Sequence, residues 1–218
     1  MQAAEVIELF YQNRDPERAA AMAAYMKNLF PYLGIAKPVR AKLQSGFIKE
    51  SRHSKNIDWE LLNRLWALPE REFQYLALDY LLSLKQQLGI DDIDELKMLV
   101  SSKSWWDTVD LLASHAVGSL CVRHPSLISS HILGWAKSDY IWLARTAILF
   151  QLKYKENTDV EVLEQVIDSN LNSREFFINK AIGWALREYS KSNPQWVSNY
   201  LSGHRLQPLS VREASKYL

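Results

Sequence analysis

The sequence predicts an all-α protein built from repeating pairs of helices, and three observations predict it. Apolar residues recur with helical rather than alternating spacing, glycine and proline punctuate these runs rather than interrupt them, and similar segments return about every 35 residues.

The spacing is clearest at Phe73, Leu76, Ala77, Tyr80, Leu81 and Leu84, which fall on one face of a helix, whereas strand-like alternation is scarce. Pro16, Pro31, Pro38, Pro69, Pro125, Pro194 and Pro208, together with Gly89, stand where periodic segments start or stop. The stretch from Asp15 to Lys27 reads as a short helix with Asp15 as N-cap and Pro16 in the first turn. About ten to twelve helices fit the length.

Residues 66–84, 101–120, 137–154, 173–189 and 208–218 each read as a polar turn, a bulky residue and an amphipathic helix. Taking Phe73, Trp106, Trp142, Phe177 and Val211 as anchors, the separations are 33, 36, 35 and 34 residues. That is a two-helix period. A helical pair of this size cannot bury its apolar face alone, so the pairs are expected to stack into a HEAT-like solenoid whose inner helices line a curved, concave surface. One domain over residues 1–218 is expected, with residues 1 to about 40 as an N-terminal helical region.

Composition removes several classes of function. A chain of 218 residues, 48% hydrophobic, buries enough surface to fold without disulfides or structural metal. Cys121 is the single cysteine, and no secretory leader opens the chain, so a reducing, cytoplasmic setting is expected. No apolar run reaches the ~18 residues of a membrane span. With 26 Lys+Arg against 25 Asp+Glu, the chain is not a strongly basic binder, and a nucleic-acid partner requires one basic face. Lys37, Arg40, Lys42, Lys49, Arg52 and Lys55 cluster in the N-terminal quarter, equally readable as a solvated face or as phosphate contacts. Eight Trp and ten Tyr exceed what a core of this size needs, which points to rings used for contact.

Chemistry concentrates in three successive repeats. Trp106 and Asp110 are four residues apart and share a helix face. Arg145 lies 39 residues after Trp106 and Trp184 lies 39 after Arg145, with Arg187 three further on. Equivalent repeat positions face the same surface, so two indoles, one carboxylate and two guanidiniums are expected together. Trp105 and Asp107 point elsewhere and read as packing and capping residues. Core filling and inter-repeat bonding account for any one of these residues; matched positions on consecutive helices favour a site. Indoles flank cations, a carboxylate orients water or stabilises a sugar cation, and arginines bind phosphate. A purine alkylated at N3 or N7 within DNA combines the cation with the phosphate.

The segments Ser104–Asp110, Trp142–Tyr154 and Phe176–Tyr189 resemble those of the AlkD-type bacterial DNA alkylation-repair glycosylases. The likeness extends to Tyr25–Asn28 with Leu33–Ile35, to Trp66–Phe73 and to Pro208–Ser210, and so to almost the whole chain. It implies a C-shaped stack of HEAT-like repeats that holds duplex DNA and releases 3-methyladenine and 7-methylguanine without metal or organic cofactor, acting as a monomer with the base still stacked. By the same resemblance Asp110 is the catalytic carboxylate, Trp106 and Trp184 contact the deoxyribose and backbone at the lesion, Arg145 and Arg187 serve DNA binding with Arg145 near phosphates, and Tyr25 lies on an N-terminal lid that approaches the lesion.

Other chemistry finds little support. His115, Cys121 and His124 lack a fourth metal ligand at a recognised spacing. His53, His131 and His204 are scattered, no serine or cysteine nucleophile motif occurs, and no phosphate-binding glycine loop is present. The competing readings are a non-catalytic HEAT-like module that binds a DNA structure, and a protein-interaction scaffold. A carboxylate at the centre of the face argues against the first, because it repels a DNA backbone.

Overall fold

A computed structural model describes all residues 1–218 and is helical throughout, without strands. It falls into two compact units, Met1–Leu88 and Gly89–Leu218. No helix is long and apolar enough to cross a membrane.

The first unit holds α1 (Ala3–Gln12), α2 (Pro16–Tyr25), α3 (Lys37–Ser51), α4 (Trp59–Ala67) and α5 (Arg71–Ser83). In α1 the residues that go inside are Ala3, Val6 and Phe10, one helix face, and Phe10 stacks on Phe73 with 5.7 Å between ring centroids. Helix α2 starts as its sequence dictates. The Asp15 carboxylate accepts from the Arg18 backbone N–H at 3.0 Å, and Pro16 occupies the first turn, where its missing donor costs nothing. None of the residues of α2 is fully buried, and its N-cap residue Asp15 donates its backbone N–H to the Leu33 carbonyl at 2.8 Å, which ties the helix to the turn at Leu33–Ile35. There Glu72, 0% exposed, accepts the backbone N–H groups of Leu33, Gly34 and Ile35 at 3.0, 2.9 and 3.1 Å. Gly34 has φ +88°, and a Cβ on it would stand 2.1 Å from the Asp15 carbonyl oxygen, so only glycine fits. Phe73, Leu76, Ala77, Tyr80, Leu81 and Leu84 are all buried, as their period requires.

The second unit contains α6 (Asp92–Ser101), α7 (Trp106–Leu111), α8 (Gly118–Arg123), α9 (Leu133–Ala136), α10 (Ile141–Leu149), α11 (Val160–Asp168), α12 (Phe176–Ser190), α13 (Pro194–Gly203) and α14 (Pro208–Ala214). A π-helical stretch, Leu112–Val117, joins α7 to α8, and a second, Ile128–Ile132, leads into α9. Helices α11 and α13 are capped by Asp159 and Asn193, which accept from Val162 and Trp196 at 3.1 and 3.0 Å. The two-helix period is visible in the packing. Helix α9 lies against α10, and α13 against α12, while α7, α10, α12 and α14 pack in succession. Trp106, Trp142, Phe177 and Val211 all fall in the first turn of one of these second helices, as Phe73 does in α5.

Two glycines set how closely neighbours approach. A Cβ on Gly183 of α12 would lie 2.4 Å from Glu213 Cβ on α14, and one on Gly118 would lie 2.3 Å from the Phe150 carbonyl oxygen. Beside Gly183 the contact is sealed by Ser210, 0% exposed, whose hydroxyl donates to the Asn179 carbonyl at 3.0 Å.

Candidate functional site

The second helices of three consecutive pairs bring Asp110, Arg145 and Trp184 into one network. Asp110 comes from the last turn of α7, immediately before the π-helical stretch, a distortion often found at functional positions. The Ser114 hydroxyl donates to the Asp110 backbone carbonyl at 2.7 Å within that stretch. Arg145 of α10 grips the Asp110 carboxylate with one edge of its guanidinium, Nε to Oδ1 at 2.7 Å and Nη2 to Oδ2 at 2.8 Å. Its remaining Nη1 donates to the Phe177 carbonyl of α12. The Arg145 Cζ also lies over the Trp184 ring, 5.6 Å from its centroid, and over that of Phe177 at 5.8 Å.

Arg145, expected near phosphates, is placed inside the protein. The residue is 1% exposed, and the nitrogen at each corner of its guanidinium already has a partner within the protein. Repeat spacing carried no information about depth. Asp110 is the accessible member of the pair, its side chain 16% exposed. Burial pushes the Asp110 carboxyl above its ordinary pKa, the Arg145 hydrogen bonds and charge pull it back down, and Asp107 adds a smaller upward push.

Trp184 is the centre of the second half of the network. Arg187, three residues on, places its Cζ 5.8 Å from the same ring, and its Nη1 reaches Glu213 Oε2 at 3.2 Å. Glu213 gathers two more cations, Lys180 at 2.8 Å and Lys216 at 2.8 Å, which hold its carboxyl down at about 2. Sequence reasoning missed Glu213: only Lys216, three residues on, was visible from local spacing, while Lys180 and Arg187 come from the preceding repeat.

The aromatic wall differs in part from expectation. Trp105, assigned to packing, does pack: its ring lies 5.5 Å from that of Trp142 and 4.9 Å from that of Phe177, and the latter two are 5.0 Å apart. Trp105 is the N-cap residue of α7, and Asp107 lies in the first turn, where a carboxylate meets the positive end of the helix. Trp106 opens α7 one turn before Asp110 and is partly buried. Tyr25 belongs to the other unit, where it is 71% exposed at the end of α2. Of the N-terminal basic residues, Lys37, Arg40, Lys49 and Arg52 line one groove along α3 with Asp79 opposite, about 550 Å³ in volume.

The Cys121 thiol is buried and pushed up to about 12, which makes it a poor nucleophile. His204, scattered in sequence from other ligands, is brought beside Glu164 and Asp168.

A family model described as DNA alkylation repair enzyme matches residues 6–218. Among solved structures the chain is similar to a predicted DNA alkylation repair enzyme from Enterococcus faecalis, at 37% identity and a TM-score of 0.87, covering 94% of this chain and 96% of that one. It shares its fold with smu.31 from Streptococcus mutans UA159, at 19% identity and a TM-score of 0.61, over 82% of this chain and 96% of that one. Comparison with curated proteins gives no match.

Proposed function

Because the chain belongs to the DNA alkylation repair enzyme family, we propose that it is a monofunctional DNA N-glycosylase that releases cationic alkylpurines, 3-methyladenine and 7-methylguanine, from duplex DNA. The observation that carries this reading is the Asp110 carboxylate, partly exposed and held in one orientation by the bidentate Arg145 fork.

In such a reaction the bond between C1′ and the purine nitrogen breaks, and its electron pair leaves with the base, neutralising the positive charge. The sugar is left oxocarbenium-like. Asp110 stabilises that charge and aligns the water whose oxygen bonds to C1′, while the water's proton passes to the carboxylate. Arg145 is a positioning residue in this scheme: it fixes the carboxylate and favours its ionised form against the desolvation that raises its pKa. Trp106 and Trp184 are assigned to the deoxyribose and backbone at the lesion, Arg187 to DNA binding, and Tyr25 to a further DNA contact from the N-terminal region. Because Trp184 has two guanidiniums over its ring, it is a poor platform for a flipped base, which supports a reaction on the stacked base. The leaving groups are then limited to bases already made labile by their charge.

The engagement of both Asp110 oxygens by Arg145 also fits a second reading, a non-catalytic DNA-structure-binding module in which this pair only ties two repeats together. Release of 7-methylguanine from methylated duplex DNA separates the two. The glycosylase reading expects release by the wild type and a loss of at least about tenfold for Asp110→Asn, equivalent to ~1.4 kcal/mol of barrier. No release above buffer by the wild type leaves the binding module; equal release by both proteins removes Asp110 from the chemistry.

A further inference from the structure

The outer helices of the second unit carry a cluster that the repair chemistry does not use. Glu164 and Asp168 stand one turn apart on α11, and His204 follows the end of α13. One ligand atom from each lies within 4.8 Å of the others. His204 Nε2 is 3.6 Å from Glu164 Oε1 and 3.9 Å from Asp168 Oδ1.

The imidazole is held for this task by groups outside the cluster. Its Nδ1 lies 3.0 Å from the Tyr200 backbone carbonyl, which has no proton to give, so Nδ1 donates there and Nε2 is turned toward the carboxylates. The ring is also stacked on Tyr200, 4.0 Å between centroids and 20° from parallel, and Tyr200 stacks in turn on Trp196 at 5.2 Å. The Tyr200 hydroxyl donates to Asp168 Oδ1 at 2.6 Å and orients that carboxylate. At 3.6 and 3.9 Å, Nε2 stands too far from either carboxylate for a direct N–H···O bond. Around a tetrahedral ion with bonds of ~2.0–2.1 Å, neighbouring ligand atoms lie ~3.3 Å apart, a spacing reached here by small side-chain movements.

We infer that Glu164, Asp168 and His204 form a site for a divalent ion of the zinc type, with water completing its coordination. One imidazole with two carboxylates suits zinc and its first-row neighbours, whereas magnesium and calcium take oxygen ligands alone. The backbone carbonyl on Nδ1 and the tyrosine on Asp168 are the outer partners that such ligands use to fix their orientation. The ion would clip the C-terminal end of α13 to α11, and it is independent of the reaction proposed above.

The test is calorimetric titration of the full-length protein with Zn²⁺ after removal of metal by chelator and dialysis, with circular dichroism to show that each variant keeps its helices. The wild type is expected to bind one ion per chain, unaffected by millimolar Mg²⁺. Glu164→Gln and His204→Ala are each expected to weaken binding at least tenfold, and His131→Ala, a control at another half-buried imidazole, to leave it unchanged. Absence of zinc binding by the wild type at tens of micromolar overturns the inference. So does wild-type affinity in Glu164→Gln and His204→Ala, or a loss confined to His131→Ala.

Discussion

Replacing Arg145 with methionine tests the site from the side of its support. The substitution keeps the length and packing of the stem but leaves the Asp110 carboxylate without either of its charge-assisted bonds, at 2.7 and 2.8 Å, and the Phe177 carbonyl without its donor. Bonds to charged groups are worth ~1.5–3 kcal/mol each, but they do not add when they share one guanidinium. Stranding one member of a buried pair costs ~3–5 kcal/mol. We expect a loss in that range at neutral pH for the second unit, measured by urea unfolding followed through tryptophan fluorescence. With Arg145 gone, the burial that raises the Asp110 pKa acts unopposed. A carboxyl whose folded pKa lies above its unfolded value near ~3.9 is most favourable when protonated, and that stability is lost as pH rises through the folded pKa. The variant is therefore expected to fall further behind the wild type as pH rises. Pairing it with Asp110→Leu removes the stranded charge and is expected to recover most of the stability while abolishing base release. A loss below ~1 kcal/mol for Arg145→Met, or a double variant no more stable than the single one, would refute the reasoning.

The same geometry sets three further outcomes. Gly183→Ala puts a methyl 2.4 Å from Glu213 Cβ and 3.0 Å from the Ser210 carbonyl oxygen, and is expected to lower Tm by several degrees in a thermal melt, with an unchanged Tm counting against the close α12–α14 approach. Glu213, held down at about 2 from 4.5, contributes stability that is present above its unfolded pKa and is lost as pH falls from about 4.5 through about 2; Glu213→Gln should flatten that acid limb, and a limb unchanged in the variant would assign it elsewhere. Base release by the wild type should rise with pH along a limb displaced above the ordinary carboxylate value, because Asp110 works only when ionised; a pH–rate profile with its limb at or below ~3.9 would contradict this.

The all-α class was readable because the period of residues such as Phe73, Leu76, Tyr80 and Leu81 is a local property of the chain, and so was the start of α2, where Asp15 and Pro16 suffice. The two-helix repeat was readable from its anchors, all of which begin a second helix of a pair. Depth was not. Arg145 and Arg187 look alike in sequence, yet one is sealed against Asp110 of α7 and the other reaches Glu213 of α14, because depth depends on which residue a neighbouring repeat presents. Glu72, closing the Leu33–Ile35 turn from 39 to 37 residues away, was unreadable for the same reason. The π-helical stretches also escaped: the first packs against α10 and α6, and the apolar spacing of residues 112–117 does not announce it.

The stretch Leu112–Val117 has a mechanical meaning of its own. A π-turn takes up one residue more than an α-turn, and each residue of an α-helix turns the chain by ~100°. The hexapeptide therefore acts as a phase shifter, letting Trp106 and Asp110 face one way while Gly118, Leu120 and Cys121 remain packed inside. Deleting a single residue between 112 and 117 would leave a regular helix of good composition. It would also rotate the carboxylate by more than a quarter of a turn away from the Arg145 fork. The angular setting of the site is thus written as a length, one extra residue, rather than as the identity of any side chain in it.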